Sequence, residues 1–88
     1  MNEAALVIRN KVGLHARPAT LFVQAAMRFQ SDIRLVKGGR EGNAKSFRAV
    51  LALGVNQNDT VLVRAEGQDA AQALQALTEL VETNFGEA

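Results

Sequence analysis

The chain has 88 residues, of which 48% are hydrophobic, and a formal net charge of +1. This length allows one domain with one core, spanning 1–88, and the apolar fraction excludes a disordered chain. The lack of cysteine excludes disulfides and zinc–thiolate sites, and no stretch approaches the roughly 20 apolar residues of a membrane span, so we expect a cytoplasmic protein.

The first predicted elements are a strand and a long helix. The apolar run 4–8 is typical of a strand, and 12–15 then forms a loop. From 16 to about 29 the apolar residues recur with a helical period, and one face consists of Ala19, Phe22, Val23, Ala26 and Phe29. The helix is more apolar than burial of one face requires, because three further apolar residues lie off it: Leu21, Ala25 and Met27.

The middle of the chain predicts a hairpin and a short helix. Polar and apolar residues alternate over 32–37, which indicates a second strand, and the Gly-Gly pair at 38–39 closes it with a turn. A weak third strand is predicted over 40–45. Ser46 is typical of a helix N-cap, and the apolar stretch 47–53 predicts the helix that it begins.

The last third predicts a strand and a helix. Gly54 ends the short helix, and 60–66 alternates as a fourth strand. The final helix opens at Asp69, and its apolar stripe consists of Ala70, Leu74, Leu77, Leu80 or Val81, and Phe85. The order β-α-β-β-α-β-α predicts an α+β fold, an open-faced β-sandwich with a four-stranded antiparallel sheet and three helices on one face.

Charge is distributed unevenly along the chain. Nine of the ten Lys and Arg residues precede Asp59, whereas six of the nine acidic residues lie from Asp59 onward. Either one basic face serves an anionic ligand or an acidic protein, or folding interleaves these charges. A phosphate- or RNA-binding module without transfer chemistry is therefore an alternative. Phenylalanines are the only aromatic residues, so we expect no nucleic-acid partner.

The only histidine, His15, directly precedes the first predicted helix. The N–H groups of a helix start, here at Ala16 and Arg17, favour an anion, and the planar guanidinium of Arg17 matches phosphate oxygens. Pro18 suits the first turn of a helix, and a neutral imidazole is a nucleophile at cytosolic pH. Locally, His15 is also explained as a capping or loop residue. No metal site is expected, because His15 has no second His, Cys or nearby carboxylate beside it.

The run 13–19, Gly-Leu-His-Ala-Arg-Pro-Ala, resembles the active-site motif of HPr, the histidine-containing phosphocarrier family of the bacterial sugar phosphotransferase system. A second motif, Asn-Ala-Lys-Ser at 43–46, precedes an apolar turn, and the resemblance covers essentially the whole chain. It implies that Nδ1 of His15 accepts a phosphoryl group from enzyme I, which takes it from phosphoenolpyruvate, and passes it to an enzyme IIA domain. Arg17 would pair with the phosphoryl oxygens. We expect a monomeric carrier without a cofactor, not an enzyme.

The same resemblance implies roles for further residues. In many relatives an ATP-dependent HPr kinase/phosphorylase phosphorylates the serine that corresponds to Ser46, although Ser46 is equally well explained as an ordinary N-cap. Partner docking would involve Thr20, Phe47, Arg48 and Leu51. Arg48 departs from the family pattern, in which a second apolar residue is common, and could change the choice of partner.

Two residues of the first helix also depart from the pattern. Gln24 and Met27 stand where some relatives carry lysines. Met27 either enlarges an apolar docking patch, or it fills the core or covers a neighbouring residue. Within the family, a carrier that donates phosphoryl groups to a nitrogen-regulatory branch or to dihydroxyacetone kinase is an alternative to one that serves sugar uptake.

Overall fold

The computed structural model describes residues 2–87 and confirms the predicted order of elements. Its strands are β1 (Asn2–Val7), β2 (Asp32–Lys37), β3 (Arg40–Asn43) and β4 (Thr60–Glu66). Its helices are α1 (Ala16–Met27), α2 (Phe47–Ala52) and α3 (Ala70–Glu82), and a short 3-10 turn, Asn84–Gly86, follows α3. No helix within the described range has the length and hydropathy to cross a membrane.

The four strands form one antiparallel sheet in the order β1-β4-β2-β3. Alternation along each strand separates two faces. The buried face carries Leu6, Ile33, Leu35, Val61, Val63 and Ala65. The opposite face is exposed or half-buried and carries Glu3, Ala5, Arg34, Leu62 and Arg64. Because only one face is buried, the helices cover that face, and the predicted open-faced sandwich is confirmed.

Helix α1 buries the face that its helical period predicts. Four residues of that face are buried: Ala19, Phe22, Val23 and Ala26. Leu21 and Ala25 are half-buried and pack against the core, because α1 contacts α3 as well as α2. This second neighbour explains the additional apolar residues of the helix. Met27 is different: its side chain is 63% exposed, so it does not fill the core.

Helix α1 ends at Met27, two residues before the predicted end at Phe29. The backbone N–H groups of Gln30 and Ser31 each donate to the carboxylate of Asp69, at 2.9 Å. This carboxylate takes up donors that would otherwise continue the helix, so the chain turns away into β2. Phe29 consequently lies outside the helix and is half-buried.

Two strand boundaries also differ from the prediction. β3 ends at Asn43 instead of Lys45, because the Asn43 side chain accepts a hydrogen bond from the Lys45 backbone N–H at 2.9 Å and closes a turn. β1 covers Asn2–Val7 instead of 4–8. Ile8 bonds to the backbone of Asp59 in the loop before β4, outside the strand pairing.

The two later helices depart from the prediction at single residues. Leu53 is the C-cap of α2 and lies outside the helix. In α3, Ala73 is buried and Leu74 is only half-buried. Phe85 is buried as predicted, but it lies in the turn after α3, where its φ of 57° breaks the helix and returns the ring to the core.

Folding interleaves much of the charge that the sequence separates. Arg64 lies 3.2 Å from Glu3 and 3.3 Å from Glu41, and Lys37 lies 3.0 Å from Asp59. Other basic residues donate to carbonyls at or just beyond the C-termini of helices: Lys45 Nζ to Phe29 O at 2.6 Å, and Arg40 to Ala52 O at 2.9 Å. Within residues 2–87, the basic side chains without an ion pair or hydrogen bond are Arg9, Lys11, Arg17, Arg28 and Arg48.

Candidate functional site

The loop before α1 is held by Asn10 and Gly13. Asn10 Nδ2 donates to Gly13 O at 2.9 Å, and Gly13 N–H donates to Asn10 O at 3.1 Å. Gly13 has a φ of +65°, and a Cβ atom there would lie 2.7 Å from Asn56 Cα. Leu14 is fully buried and its N–H donates to Val55 O at 3.0 Å. A residue without a side chain at Gly13 is therefore needed to set His15 against the loop 55–59.

His15 is the N-cap residue of α1, as its position before the helix predicts. Its backbone is extended, with φ −124° and ψ 160°, and its side chain makes no capping hydrogen bond. Ala16 follows with φ +50°, a left-handed conformation that costs an L-residue roughly 1–2 kcal/mol. The first turn of α1 contains no acidic residue. The N–H donors of this helix start therefore face no negative side chain of their own helix, which suits an incoming anion.

The imidazole of His15 has one side-chain partner within the described residues. Its Nε2 lies 3.2 Å from Oδ1 of Asn56. An amide oxygen can only accept a hydrogen bond, so this contact pairs Oδ1 with the tautomer that carries its proton on Nε2, in which a neutral ring has its lone pair on Nδ1. The sequence analysis missed Asn56, because 41 residues separate it from His15 and only tertiary packing joins them.

The loop that carries Asn56 is held in place by hydrogen bonds and an ion pair at Asp59. Asn56 N–H donates to Asp59 Oδ2 at 2.7 Å, and Lys37 Nζ lies 3.0 Å from the same oxygen. The Asn56 N–H, followed by Lys37, holds the pKa of the Asp59 carboxyl below its usual value. The Gln57 side chain donates to Arg9 O at 3.1 Å. The two bonds to the Asp59 carboxylate hold the backbone of Asn56 in the loop beside His15.

Arg17 and Thr20 are the exposed polar residues of the first turns of α1. The Arg17 guanidinium has no hydrogen-bond or ion-pair partner within residues 2–87, so its five donors are available to an anion. Thr20 Oγ1 donates to Ala16 O at 3.3 Å, which occupies its hydroxyl proton.

Ser46 is the N-cap of α2, which confirms that part of the prediction. Its Oγ accepts a hydrogen bond from Ala49 N–H at 3.2 Å, and its carbonyl accepts from Val50 N–H at 3.0 Å. The Ser46 side chain is half-buried. Helices α1 and α2 are in contact, so the starts of the two helices belong to one surface region.

The residues predicted to dock partners differ in exposure. Phe47 is 42% exposed, and Thr20 and Arg48 are exposed, whereas Leu51 is half-buried and packs against the core. A further exposed apolar side chain that the sequence analysis missed is Val12, which is 50% exposed in the loop before Gly13. Within residues 2–87, no group of three or more His, Cys, Asp or Glu side chains is arranged to hold a metal ion.

Comparison with known proteins assigns the chain to a described family. The family model for the PTS HPr component phosphorylation site matches residues 2–83. The phosphocarrier protein HPr of Xylella fastidiosa is 45% identical over 87 residues, which are 99% of this chain and 98% of that protein.

Solved structures agree with the sequence comparison. The crystal structure of HPr-C-His from Thermoanaerobacter tengcongensis is 48% identical and superimposes with a TM-score of 0.99, covering 100% of this chain and 99% of that chain. A crystal structure described as an HPr dimer from the same organism, also 48% identical, superimposes with a TM-score of 0.81, covering 99% and 100%.

Proposed function

The chain belongs to the HPr family of phosphocarrier proteins, and from this premise we propose that its His15 accepts a phosphoryl group from phosphorylated enzyme I and donates it to an enzyme IIA domain. The observation that carries the proposal is the geometry of His15. Its Nε2 lies 3.2 Å from Asn56 Oδ1, a contact that matches a proton on Nε2 and a free lone pair on Nδ1, and the helix start beside it has no acidic residue in its first turn.

The transfer step follows from this arrangement. The Nδ1 lone pair forms a bond to phosphorus, and the bond between phosphorus and the donor nitrogen of enzyme I breaks. The donor nitrogen keeps that electron pair. The His15 ring then carries phosphorus on Nδ1 and retains its proton on Nε2. Onward transfer reverses these changes, with His15 Nδ1 as the leaving group and a nucleophile of the enzyme IIA domain as the acceptor.

Arg17 and the start of α1 supply the electrostatic part of the mechanism. The phosphoryl oxygens carry negative charge throughout the transfer, and the positive end of the helix dipole favours that charge. The Arg17 guanidinium binds two oxygens at once through its planar fork. The N–H groups of Ala16 and Arg17 provide further donors. No cofactor takes part in these steps.

The chain carries the phosphoryl group and relies on its partners for catalysis, as phosphocarriers of this family do. The proposal places the exchange in the cytoplasm with a monomeric carrier, since the face around His15 must be accessible to each partner in turn. A relative has been solved as an HPr dimer, whereas the carrier proposed here is a monomer that exposes His15. We propose that the carrier supplies phosphoryl groups for sugar uptake. Carriers of the nitrogen-regulatory branch and of the dihydroxyacetone-kinase branch use the same chemistry.

Ser46 is proposed as a regulatory site for an HPr kinase/phosphorylase. Its hydroxyl lies at the start of α2 and accepts the Ala49 N–H, so a phosphate there would meet backbone donors and the positive end of the helix. Exposed Phe47 and Arg48 follow it directly, and the added charge would change docking at these residues.

The exposure of the aromatic residues disfavours the RNA-binding alternative. Phe22 and Phe85 are buried and Phe29 is half-buried, so Phe47 is the one phenylalanine that is exposed in residues 2–87. Single-stranded nucleic acid is bound by stacking successive bases on aromatic side chains, and one exposed ring does not form such a platform.

Incubation with enzyme I and labelled phosphoenolpyruvate tests the proposed function. We expect wild-type chain to gain acid-labile label and to lose it when an enzyme IIA domain is added. His15→Ala should fold, because the ring is only half-buried, and should gain no label. Absence of label in wild type, or wild-type labelling of His15→Ala, would contradict the proposal.

A further inference from the structure

We propose that Asn56 is a positioning residue for the phosphoryl acceptor: its Oδ1 holds His15 in the tautomer that leaves Nδ1 free, and it stabilises the phosphorylated ring. This inference rests on the proposed function of His15. It assigns to Asn56 a role that acts through the imidazole and not on the phosphoryl group itself.

The hydrogen bond determines the state of the ring. A neutral imidazole has one N–H and one bare nitrogen, and the two tautomers interconvert freely in water. Oδ1 of Asn56, 3.2 Å from Nε2, satisfies only the tautomer with its proton on Nε2. In the other tautomer two acceptors, Nε2 and Oδ1, would face each other. The contact therefore raises the fraction of His15 whose Nδ1 can attack phosphorus.

Asn56 is well placed for this role because both its backbone N–H and its backbone carbonyl bond to Asp59. Its N–H donates to Asp59 Oδ2 at 2.7 Å, and its carbonyl accepts from Asp59 N–H at 3.1 Å. Lys37 fixes the Asp59 carboxylate through its ion pair. The backbone of Asn56 packs closely against Gly13. The backbone of Asn56 is therefore ordered before phosphorylation, and only the side-chain amide has to face the ring.

The contact also strengthens as the reaction proceeds. After transfer the ring carries both the phosphoryl group on Nδ1 and the proton on Nε2, so it bears a positive charge. A hydrogen bond from a charged donor is stronger than one from a neutral donor. Asn56 therefore stabilises the phosphorylated state more than the free state, and differential stabilisation of this kind shifts the transfer equilibrium.

The first test measures the tautomer in the chain alone, by ¹⁵N NMR of the His15 ring at alkaline pH. Asn56→Ala removes the acceptor, whereas Asn56→Asp keeps an acceptor oxygen at the same position. Gln57→Ala is the matched control, since it truncates a neighbouring side chain of the same loop that bonds Arg9 O. We expect wild type, Asn56→Asp and Gln57→Ala to keep the proton on Nε2, and Asn56→Ala to show a mixture.

The second test measures the equilibrium constant for phosphoryl acceptance from enzyme I. Asn56→Ala should lower this equilibrium constant by roughly threefold to tenfold, because one hydrogen bond is lost from the phosphorylated state. Gln57→Ala should leave the equilibrium constant unchanged. An unchanged tautomer ratio in Asn56→Ala, or a mixture in Asn56→Asp, would overturn the inference. If wild-type chain accepts no phosphoryl group, the proposed function fails instead, because the NMR result does not depend on enzyme I.

Discussion

The starts of α1 and α2 share a helix dipole and differ in what satisfies their N–H donors. At α2, the hydroxyl of Ser46 accepts the Ala49 N–H at 3.2 Å and closes the helix start with the chain's own atoms. At α1, the N-cap residue His15 makes no capping bond and directs its ring to Asn56 instead. A capped start contributes to stability, whereas an uncapped start leaves its donors open to an anion, which the proposed function identifies as the phosphoryl group.

The start of α3 shows a third arrangement, in which an N-cap residue serves another segment. The carboxylate of Asp69 makes no capping bond to its own helix and accepts from the N–H groups of Gln30 and Ser31 and from the Ser31 hydroxyl. Asp69 thereby joins the end of α1 to the beginning of α3. Of the three helix starts, only that of α1 combines an uncapped N-terminus with a free arginine in its first turn.

The largest effect is expected from Arg17, the residue proposed to bind the phosphoryl oxygens at the start of α1. Arg17→Ala should lower the rate of transfer from enzyme I by about tenfold to a hundredfold, because a charge-assisted contact contributes about 1.5–3 kcal/mol. The free energy of unfolding should not change, since the guanidinium has no partner within residues 2–87.

Arg28→Ala is the matched control for Arg17→Ala. Arg28 is the exposed C-cap residue of the same helix and also has no ion pair in the described range. Stopped-flow or quenched-flow transfer assays should give wild-type rates for Arg28→Ala. Equal rates for the two variants would show that the α1 start is not specialised for phosphate through Arg17.

A negative charge at the α2 start should weaken docking without unfolding the helix. Ser46→Asp retains an N-cap residue that suits the dipole, so the free energy of unfolding should be unchanged or slightly raised. Enzyme I, the proposed donor, brings a negatively charged phosphoryl group to this surface, so we expect about fivefold weaker association with enzyme I at low ionic strength and a smaller loss at high salt.

Gln72→Glu is the control for the negative charge that Ser46→Asp introduces. It also adds one negative charge, on an exposed side chain in the first turn of a different helix, α3. Transfer rates measured against enzyme I concentration at two salt levels should show no change for Gln72→Glu. If Ser46→Asp matches wild type at low salt, Ser46 is only a helix cap.

The Asp69 contact should make stability depend on pH. The Ser31 hydroxyl, followed by the Gln30 N–H, holds the pKa of the Asp69 carboxyl below its usual value. A lowered folded-state pKa stabilises the fold at pH values above the unfolded pKa of about 4, and this stabilisation is lost as the pH falls through the lower folded-state value.

Asp69→Asn should therefore reduce the free energy of unfolding at pH 7 and reduce its fall between neutral and acidic pH, as urea titrations at a series of pH values would show. Asp32→Asn is the control, because its carboxylate lies in an exposed ion pair with Arg34 and exposed pairs contribute little. An equal fall with pH in wild type and Asp69→Asn would contradict this assignment.

The smallest effect is expected from removing the α2 cap alone. Ser46→Ala leaves the Ala49 N–H without its side-chain acceptor and should lower the free energy of unfolding by about 1 kcal/mol. Transfer from enzyme I should remain at the wild-type rate, because the hydroxyl is not part of the acceptor. A thermal denaturation curve that is indistinguishable from wild type would show that the cap contributes nothing.

Local periodicity predicted most of this fold but not the contacts that complete the site. The alternation over 60–66 and the helical period from Ala16 to Ala26 are properties of neighbouring residues, so the elements could be read from the chain. The contact between His15 and Asn56 spans 41 residues, and that between Ser31 and Asp69 spans 38. No local pattern encodes such pairs, because they arise only when the elements pack.

The same reason explains the misplaced boundaries. The end of α1 depends on Asp69, which no periodicity within the helix reveals. The position of His15 and Arg17 was predicted from the helix start and the motif at 13–19, whereas the exposed Val12 beside that motif was overlooked. The docking role of Phe47 and the regulatory role of Ser46 stay predictions.

The most direct measurement locates the phosphoryl group after reaction with enzyme I and phosphoenolpyruvate. In ¹⁵N-labelled chain, coupling between ³¹P and a ring nitrogen identifies the modified atom without relying on a variant. The account predicts one acid-labile phosphoryl group, bonded to Nδ1 of His15, with the proton still on Nε2. A phosphoryl group on Nε2, or on any residue other than His15, would contradict it.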